Sequence, residues 1–473
     1  MSIITFLLNQ TVVTERTLES TPLLDILRGS QHLTGCKEGC REGDCGACLV
    51  LLGTRESGKL VYRPATACLV PLGALAGWHV VTIEGLSGTK PNPIQQALVE
   101  QGGIQCGFCS PGIVVALTAF FLNSPTSEVD AALEAVAGNL CRCTGYAGIK
   151  RAIQQLCEQF DLARSQPAKR LDDCLQWRLL PAYFADIEAQ LASLPAPTPA
   201  VSQTKETGIL VAGGTDLMVH QAKTANAANL QFLPRIADQD CIRLDGERCR
   251  IAAGTTIEQL RTSPVLQELL PSIAEDLQLL CSAPIRQHAT LGGNLANASP
   301  IADLAVFFLA LDAELILEKR GSRRRLPLRE FFLAYKQTAL QSGERIAEIA
   351  VNVVASFSFE KVCKRMHLDI ASVNSALSIG LANGVIDHVH LAAGGVAPLP
   401  LYLATVCDYL RGKAINAKTV LAAAAIAQTE IAPIGDLRGS IEYKRLLFRQ
   451  LFFAHFLKLF PELIRWEDLH ALG

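Results

Sequence analysis

CREGDCGAC, residues 40–48, sets Cys40, Cys45 and Cys48 in a C-x4-C-x2-C array, with Cys68 downstream. This is the plant-type spacing of a [2Fe–2S] site. Four thiolates must converge on two irons bridged by sulfide, so three of them come from one wrapped loop. Such a loop needs glycine, because its backbone passes close to the cluster and turns N–H groups toward sulfur. Gly43 and Gly46 stand between the ligands, and Gly39 just before them. The competing reading is zinc, which favours paired C-x2-C knuckles or histidines at fixed spacing. No histidine lies in this loop, and Cys36, one helical turn before Cys40, reads as a bystander.

Further along, Cys106 and Cys109 form C-x2-C, and Cys141 and Cys143 form C-x-C. Ser110, Pro111 and Gly112 follow Cys109, a helix-start pattern with Ser as N-cap and Pro in the first turn. Thr144 and Gly145 follow Cys143 and suggest the same arrangement. Helix N-termini would then turn partial positive charge toward an anionic cluster. A four-cysteine zinc site is again the alternative. The other seven cysteines (Cys157, Cys174, Cys241, Cys249, Cys281, Cys363 and Cys407) are scattered and read as small buried hydrophobes.

The chain of 473 residues is long enough for two to four domains. Hydrophobic residues make up 49% and charged residues 19%, which rules against disorder. The net charge of −2, without long charged blocks, excludes nucleic acid as an expected partner. The basic residues from Lys319 to Arg325 read as a solvated hairpin tip around Gly321 and Ser322. MSIITFLLNQ lacks the basic flank and cleavage site of a signal peptide, and the apolar run 113–122 is too short to span a bilayer. A cytoplasmic location without membrane contact follows as the expectation. In a reducing compartment, clustered cysteines read as metal ligands.

Strands are expected at 3–8, 11–18, 48–52, 59–63 and 80–84, with a helix at 22–28. Helices follow at 94–100, 111–122, 128–137 and 148–160, which suits a compact bundle. The region 163–207, ending in LPAPTPAVSQTKETG, reads as a linker. A strand at 208–212 runs into Gly213 and Gly214; strand–turn–helix units are expected at 249–261 and 290–311. After a break near Ala355, strands are expected at 375–381 and 385–393, then helices to the end. Neither Gly-Gly loop, AGGTD (212–216) nor ATLGGN (289–294), is a dinucleotide fingerprint or a P-loop. Two such loops together would make a nest of N–H groups for a pyrophosphate, although Gly-Gly is commonly a plain turn.

QCGFCSPG (105–112) and GNLCRCTGY (138–146) resemble the signature of the molybdenum hydroxylases, the xanthine dehydrogenase family. GCREGDCGAC and VTIEGL (81–86) resemble the ferredoxin-like domain of that family, and ILVAGGTDL and ATLGGNLANASPIADL its flavin-binding loops. The resemblance covers nearly the whole chain. It implies an α+β multidomain fold: a ferredoxin-like β-grasp domain (1–88), a four-helix-bundle [2Fe–2S] domain (89–162), a linker (163–207), an α/β FAD-binding domain of the molybdenum-hydroxylase type, similar to vanillyl-alcohol oxidase (208–354), and a C-terminal α+β flavin-associated domain (355–473).

Carried over by position, the resemblance gives one cluster to Cys40, Cys45, Cys48 and Cys68 and the other to Cys106, Cys109, Cys141 and Cys143. Leu210, Val211, Ala212, Gly213, Gly214, Thr215, Asp216 and Leu217 would wrap the FAD pyrophosphate, with Thr290, Gly293 and Asn294 completing the cradle. Asp303 would bond the ribityl or adenosine portion, and Ile346 and Lys361 would contact the ring ends. Leu280 stands where relatives often carry an aromatic beside the flavin. Lys364, Arg365, Asp369, Ile370 and Ala371 resemble a loop that governs nicotinamide access. His288 and His367 read as structural.

The resemblance also implies a role. The chain stops where a molybdenum-binding half would begin, so it would be the small subunit of a split enzyme. Its partner would be a molybdopterin-binding large subunit, in a heterotetramer of two small and two large chains. Electrons from hypoxanthine or xanthine would pass through both clusters to FAD and leave to NAD+. No side chain here need act as acid or base. The alternatives are a partner acting on aldehydes or N-heteroaromatics, and a zinc-stabilised scaffold without redox centres.

Overall fold

The computed structural model describes residues 1–56, 58–194, 208–220, 224–225, 229–233, 241–246, 248–352, 356–365 and 368–470. His367, the break at Ala355 and the stretch 195–207 lie outside them. The described residues form two compact units. The first takes those within 1–194, 208–233 and 282–289; the second takes those within 241–281 and from 290 onward.

The first unit opens with a hairpin, β1 (Ser2–Leu8) and β2 (Thr11–Thr17), turning at Asn9 with φ of 52°. Helix α1 (Leu23–Arg28) follows, then β3 (Leu49–Glu56), β4 (Lys59–Thr66) and β5 (His79–Val81). They form a mixed sheet in the order β2-β1-β5-β3-β4, with β1 and β5 parallel. The strand expected at 80–84 ends at Val81, because Ile83–Leu86 closes into a helical turn, α2, behind Thr82.

Both faces of this sheet are buried, which explains why β3 begins as an unbroken apolar run rather than an alternating one. Ile4, Phe6, Leu8, Val50 and Leu52 pack under α1 with Leu24 and Leu27. Leu49, Leu51, Tyr62 and Val81 face the other way, into the core of a helical bundle. The bundle comprises α3 (Pro93–Glu100), α4 (Ser110–Asn123), α5 (Val129–Ala135) and α6 (Ala147–Gln159). Helix α4 is apolar nearly all round, as a central helix must be.

The region expected to be a linker is not one over its described part. Helices α7 (Arg170–Gln176) and α8 (Ile187–Ser193) occupy it. Leu162, Cys174, Leu179, Leu180 and Phe184 join the bundle core, and Ile187 and Leu191 pack on Leu7. Arg170, 4% exposed, is held by the carbonyls of Phe121, Ser124, Leu162 and Ser165. Buried apolar residues at helical spacing outweighed the loop-like composition that follows them. The unit is completed by a short parallel pair, β6 (Ile209–Val211) and β7 (Leu230–Phe232), with α9 (Leu217–His220) between them.

The second unit contains an antiparallel sheet in the order β11-β10-β14-β9-β8, from β8 (Ile242–Asp245), β9 (Arg248–Ala252), β10 (Glu314–Lys319), β11 (Ser322–Pro327) and β14 (Arg345–Asn352). Small strands β12 (Phe332–Ala334) and β13 (Gln337–Thr338) precede β14. The basic run is the β10–β11 hairpin, turning at Arg320 and Gly321 with φ of 51° and 83°, and Arg323 and Arg324 pair with Glu318 and Glu344. The expected strand within 290–311 is absent: two helices, Leu291–Asn297 and Asp303–Ala310, stand there, separated by Ala298 in the left-handed region. A second antiparallel sheet, β15 (Ser356–Val362), β16 (Val373–Ala382), β17 (Val385–Gly394) and β18 (Leu401–Tyr402), packs on helices Ala404–Leu410, Ala417–Glu430 and Ile441–Leu459. Among the described residues no helix is long and apolar enough to cross a membrane.

Candidate metal centres and flavin loops

The eight cysteines lie in the first unit and come together two by two. Cys48 and Cys68 Sγ are 3.4 Å apart, as are Cys106 and Cys143. The Cys40 amide reaches Cys45 Sγ, and Cys109 and Cys141 are close enough that each acts on the other's thiol. A tetrahedral zinc needs its four ligands around one point. A [2Fe–2S] cluster needs two thiolates on each of two irons, which paired sulfurs supply.

Backbone N–H groups already point at the sulfurs. Glu42 and Asp44 amides each donate to Cys40 Sγ at 3.3 Å, and the Cys40 amide to Cys45 Sγ at 3.5 Å. The Cys40 thiol is drawn down to about 5, first by its bond with Cys45 and then by these amides, while Cys45 is pushed up by the same bond. At the second site the Phe108 amide, then Cys143, holds Cys106 low, and burial pushes Cys109 up to about 12. A thiol drawn down like that of Cys40 suits a metal ligand.

The loop glycines do more than turn the chain. A Cβ on Gly112, in the first turn of α4, would sit 2.1 Å from the Gly46 carbonyl oxygen. Asn139 Nδ2 donates to that same oxygen at 3.1 Å, and the Leu140 amide to the Cys45 carbonyl at 3.0 Å. The two cysteine loops are therefore in direct contact. Only the first pair of the second site stands at a helix start. Cys109, not Ser110, occupies the cap position of α4, and Ser110 Oγ is buried without a partner. Cys141 and Cys143 precede α6 by a turn, because Gly145 and Tyr146 (φ of 58° and 66°) redirect the chain first. Tyr146, which the cysteine spacing did not flag, accepts from the Cys141 amide at 3.0 Å through its hydroxyl. Cys36 is buried and donates to the Cys48 carbonyl. Of the seven scattered cysteines, Cys281 and Cys363 are half-buried and the rest buried.

The first Gly-Gly loop also belongs to the first unit. Gly214 is left-handed, with φ of 71°, and a Cβ on Gly213 would lie 1.9 Å from the His288 carbonyl oxygen. Leu217 opens α9, whose Met218 enters the core that holds Cys48 and Cys68. Leu210 and Val211 pair with Gln231 and Phe232 in β7, and Ala212, Thr215 and Asp216 complete the turn.

In the second unit Thr290 Oγ1 accepts from the Gly293 amide at 3.1 Å and caps its helix. Gly292 makes the tight approach, its Cβ position 2.7 Å from Ala253 Cβ, which leaves Gly293 exposed. Asn294 Oδ1 is buried without a partner, which fits a site awaiting a donor. Asp303 and Lys361, expected as separate contacts, are each other's partners at 2.8 Å; Lys361 Nζ also donates to the Leu279 carbonyl at 3.0 Å. Burial opposes the Lys361 charge, but Asp303 outweighs it and holds the group above its ordinary value. Asn374, which also donates to Asp303, went unseen, although a polar residue at a buried position of an apolar strand is a signal. Leu280 is 3% exposed and adjoins the Leu279 carbonyl; Ile346 is placed by register opposite Leu317, away from this group. Lys364 and Arg365 amides both donate to the Asp369 carboxylate.

Comparison with known proteins agrees with this arrangement. Residues 6–72 match the 2Fe-2S iron-sulfur cluster binding domain, 82–154 the [2Fe-2S] binding domain, 193–352 the FAD binding domain in molybdopterin dehydrogenase, and 358–459 the CO dehydrogenase flavoprotein C-terminal domain. Aldehyde oxidase 1 of Bos taurus is 28% identical over 98% of this chain and 40% of its own length. Xanthine dehydrogenase of Emericella nidulans is 28% identical over 87% of this chain and 35% of its own. The chain thus spans about two fifths of such relatives. A solved chain of carbon monoxide dehydrogenase from Hydrogenophaga pseudoflava, in a form lacking the Mo-pyranopterin moiety, is 30% identical with a TM-score of 0.51, covering 54% of this chain and 90% of that one. Together with the paired cysteines and the order of the domains, these likenesses place the chain in the molybdenum hydroxylase family, as a member with two [2Fe–2S] domains and a FAD-binding domain.

Proposed function

We propose that this chain is the iron–sulfur and flavin subunit of an NAD+-dependent xanthine dehydrogenase, placed in the cytoplasm beside a molybdopterin-binding large subunit in a heterotetramer of two of each. The observation that carries the electron-transfer role is the contact of the two cysteine loops through Gly46, Gly112 and Asn139. Cys40 with Cys45, and Cys48 with Cys68, would each hold one iron of the first cluster. Cys106 with Cys143, and Cys109 with Cys141, would do the same for the second.

Exposure supports an entry point. Cys106 and Cys143 are exposed, with Phe108, Leu140 and Tyr146 forming an apolar rim at 45%, 45% and 37% exposure. Electrons from the partner would enter there, cross to the Cys48/Cys68 side, and reach FAD. In the first unit Leu210 to Leu217 would be its contacts; in the second, by itself, Thr290, Gly293, Asn294, Asp303, Ile346, Lys361 and Leu280 would carry that role. Bound flavin would supply the exchange between one-electron and hydride chemistry; the chain supplies spacing and shelter. The domain limits at 88, 207 and 354 form part of this proposal, with α7 and α8 extending the bundle past 162.

Purine as the substrate rests on the resemblance of the cysteine and flavin motifs to the xanthine dehydrogenase family, since the fusion of clusters and flavin is shared by the aldehyde oxidases. A partner acting on aldehydes is the second reading, favoured by aldehyde oxidases at the same identity as the xanthine dehydrogenase. The test is to isolate the chain with its co-purifying partner and offer hypoxanthine, xanthine and an aldehyde, with NAD+ or oxygen as acceptor. Purine-dependent NADH formation is expected. Turnover with the aldehyde alone would transfer the chain to the second reading.

A further inference from the structure

The segment Ser282–Ala289 belongs to the first unit, although the residues on both sides of it belong to the second. It lies against the loop of Cys40 to Cys48, the approach to Cys141 and the first Gly-Gly loop. Ser282 Cβ and Pro284 Cδ lie 2.8 and 3.5 Å from the Cβ position of Gly138, three residues before Cys141. Ile285 Cδ1 lies 2.8 Å from that of Gly43, between Cys40 and Cys45. His288 Nε2 bonds the Pro64 carbonyl in β4 at 3.2 Å, and the His288 carbonyl closes on Gly213 of the first Gly-Gly loop. The next residue after Ala289 is Thr290, which opens the second loop.

A buried ion pair helps to hold this segment. Arg286, with a side chain 1% exposed, meets Glu134 of α5 at 2.6 Å. A buried guanidinium is tolerated only where its partners fix it, so the pair holds the segment in one place.

We infer that Ser282–Ala289 is a strap that sets the distance between the cluster loops and the flavin loop, and that Arg286 is its positioning residue. The inference rests on the reading under Proposed function. With clusters and flavin bound, Ile285 and Arg286 would fix the gap that single electrons cross from a ferrous iron to the flavin; two such electrons and two protons from water would account for full reduction.

The test compares Arg286→Met, Arg286→Lys and Ile285→Ala in the full chain with its partner. Iron and FAD contents are measured first, then hydrogen exchange of the 283–290 amides, then the rate of flavin reduction after one-electron photoreduction of the clusters. Because small displacements between reacting groups are costly, Arg286→Met is expected to slow that step roughly tenfold at full cofactor content. Exchange should rise over the same amides, and Arg286→Lys should recover most of the rate. Ile285→Ala leaves no buried charge and should slow the step less; it stands in where Arg286→Met does not fold. Unchanged rate and exchange in Arg286→Met, or in Ile285→Ala where that variant stands in, would overturn the strap while leaving the proposed function intact. An unaltered chain without iron or FAD would instead bring down that function, and the strap with it.

Discussion

Cys48 and Cys68 stand 3.4 Å apart within the apolar core beneath α1, while Cys106 and Cys143 stand at the same separation on the surface. The ligand chemistry is the same; the packing is not. The first site is walled by Leu69, Val50 and Leu24, each nearly or fully buried. The second is walled on one side by α4 and is open on the other. Burial keeps water and oxygen from a cluster, whereas an electron must enter across a short gap from a partner. Under the proposed function, the Cys48/Cys68 side would serve as a sheltered relay and the Cys106/Cys143 side as an exposed terminal, the two loops being joined at Gly46 and Gly112.

The largest expected effect separates the two sites by what a lost ligand costs. Cys143→Ser should remove one iron–sulfur EPR signal with little change in thermal unfolding. Cys68→Ser should remove the other signal and also destabilise the first unit by about 1–3 kcal/mol, since it buries a hydroxyl in an apolar core. Equal losses of stability would erase the distinction between core and rim.

The join itself is the next target. Gly112→Ala would drive a methyl group onto the Gly46 carbonyl at 2.1 Å. Overpacking of this kind costs about 1–3 kcal/mol, and both EPR signals should broaden or shift because the wall is shared. A change confined to one signal would show that the loops are independent.

Acid should act on the sheet that separates the sites. His79, fully buried between the Tyr62 hydroxyl and the Asn9 carbonyl, is pushed down to about 4 by burial. The unfolded chain therefore binds a proton that the folded chain refuses. Stability is complete above the unfolded value of 6.5 and is lost as pH falls toward 4, by about 2–3 kcal/mol. Urea unfolding of His79→Gln should lose that part of the slope; an unaltered slope would assign it elsewhere. The smallest effect on stability belongs to the rim. Phe108→Ser should alter unfolding by no more than about 0.5 kcal/mol yet weaken assembly with the partner, read by sedimentation. Full assembly would remove the rim from the interface.

The grouping of Cys48 with Cys68 and of Cys106 with Cys143 was legible because the residue types and spacings that suit metal ligation stand in the chain itself. The hairpin at Asn9 and the bundle were legible from turn chemistry and helical period. What was hidden had long-range causes. Helix α8 was hidden because its buried positions, Ile187 and Leu191, make sense only against Leu7 in a distant strand. Asp303 and Lys361 each carried a role that seemed separate until the fold placed β15 beside the helix starting at Asp303. Tyr146 escaped because an ordinary tyrosine after a glycine gives no sign that its hydroxyl meets the Cys141 amide.

The most direct measurement is iron and acid-labile sulfide analysis with EPR on the full chain, purified without oxygen and reduced. The account predicts iron and sulfide in equal amounts, two distinct [2Fe–2S] signals and no zinc. Zinc without sulfide, or a single signal from the unaltered chain, would contradict it.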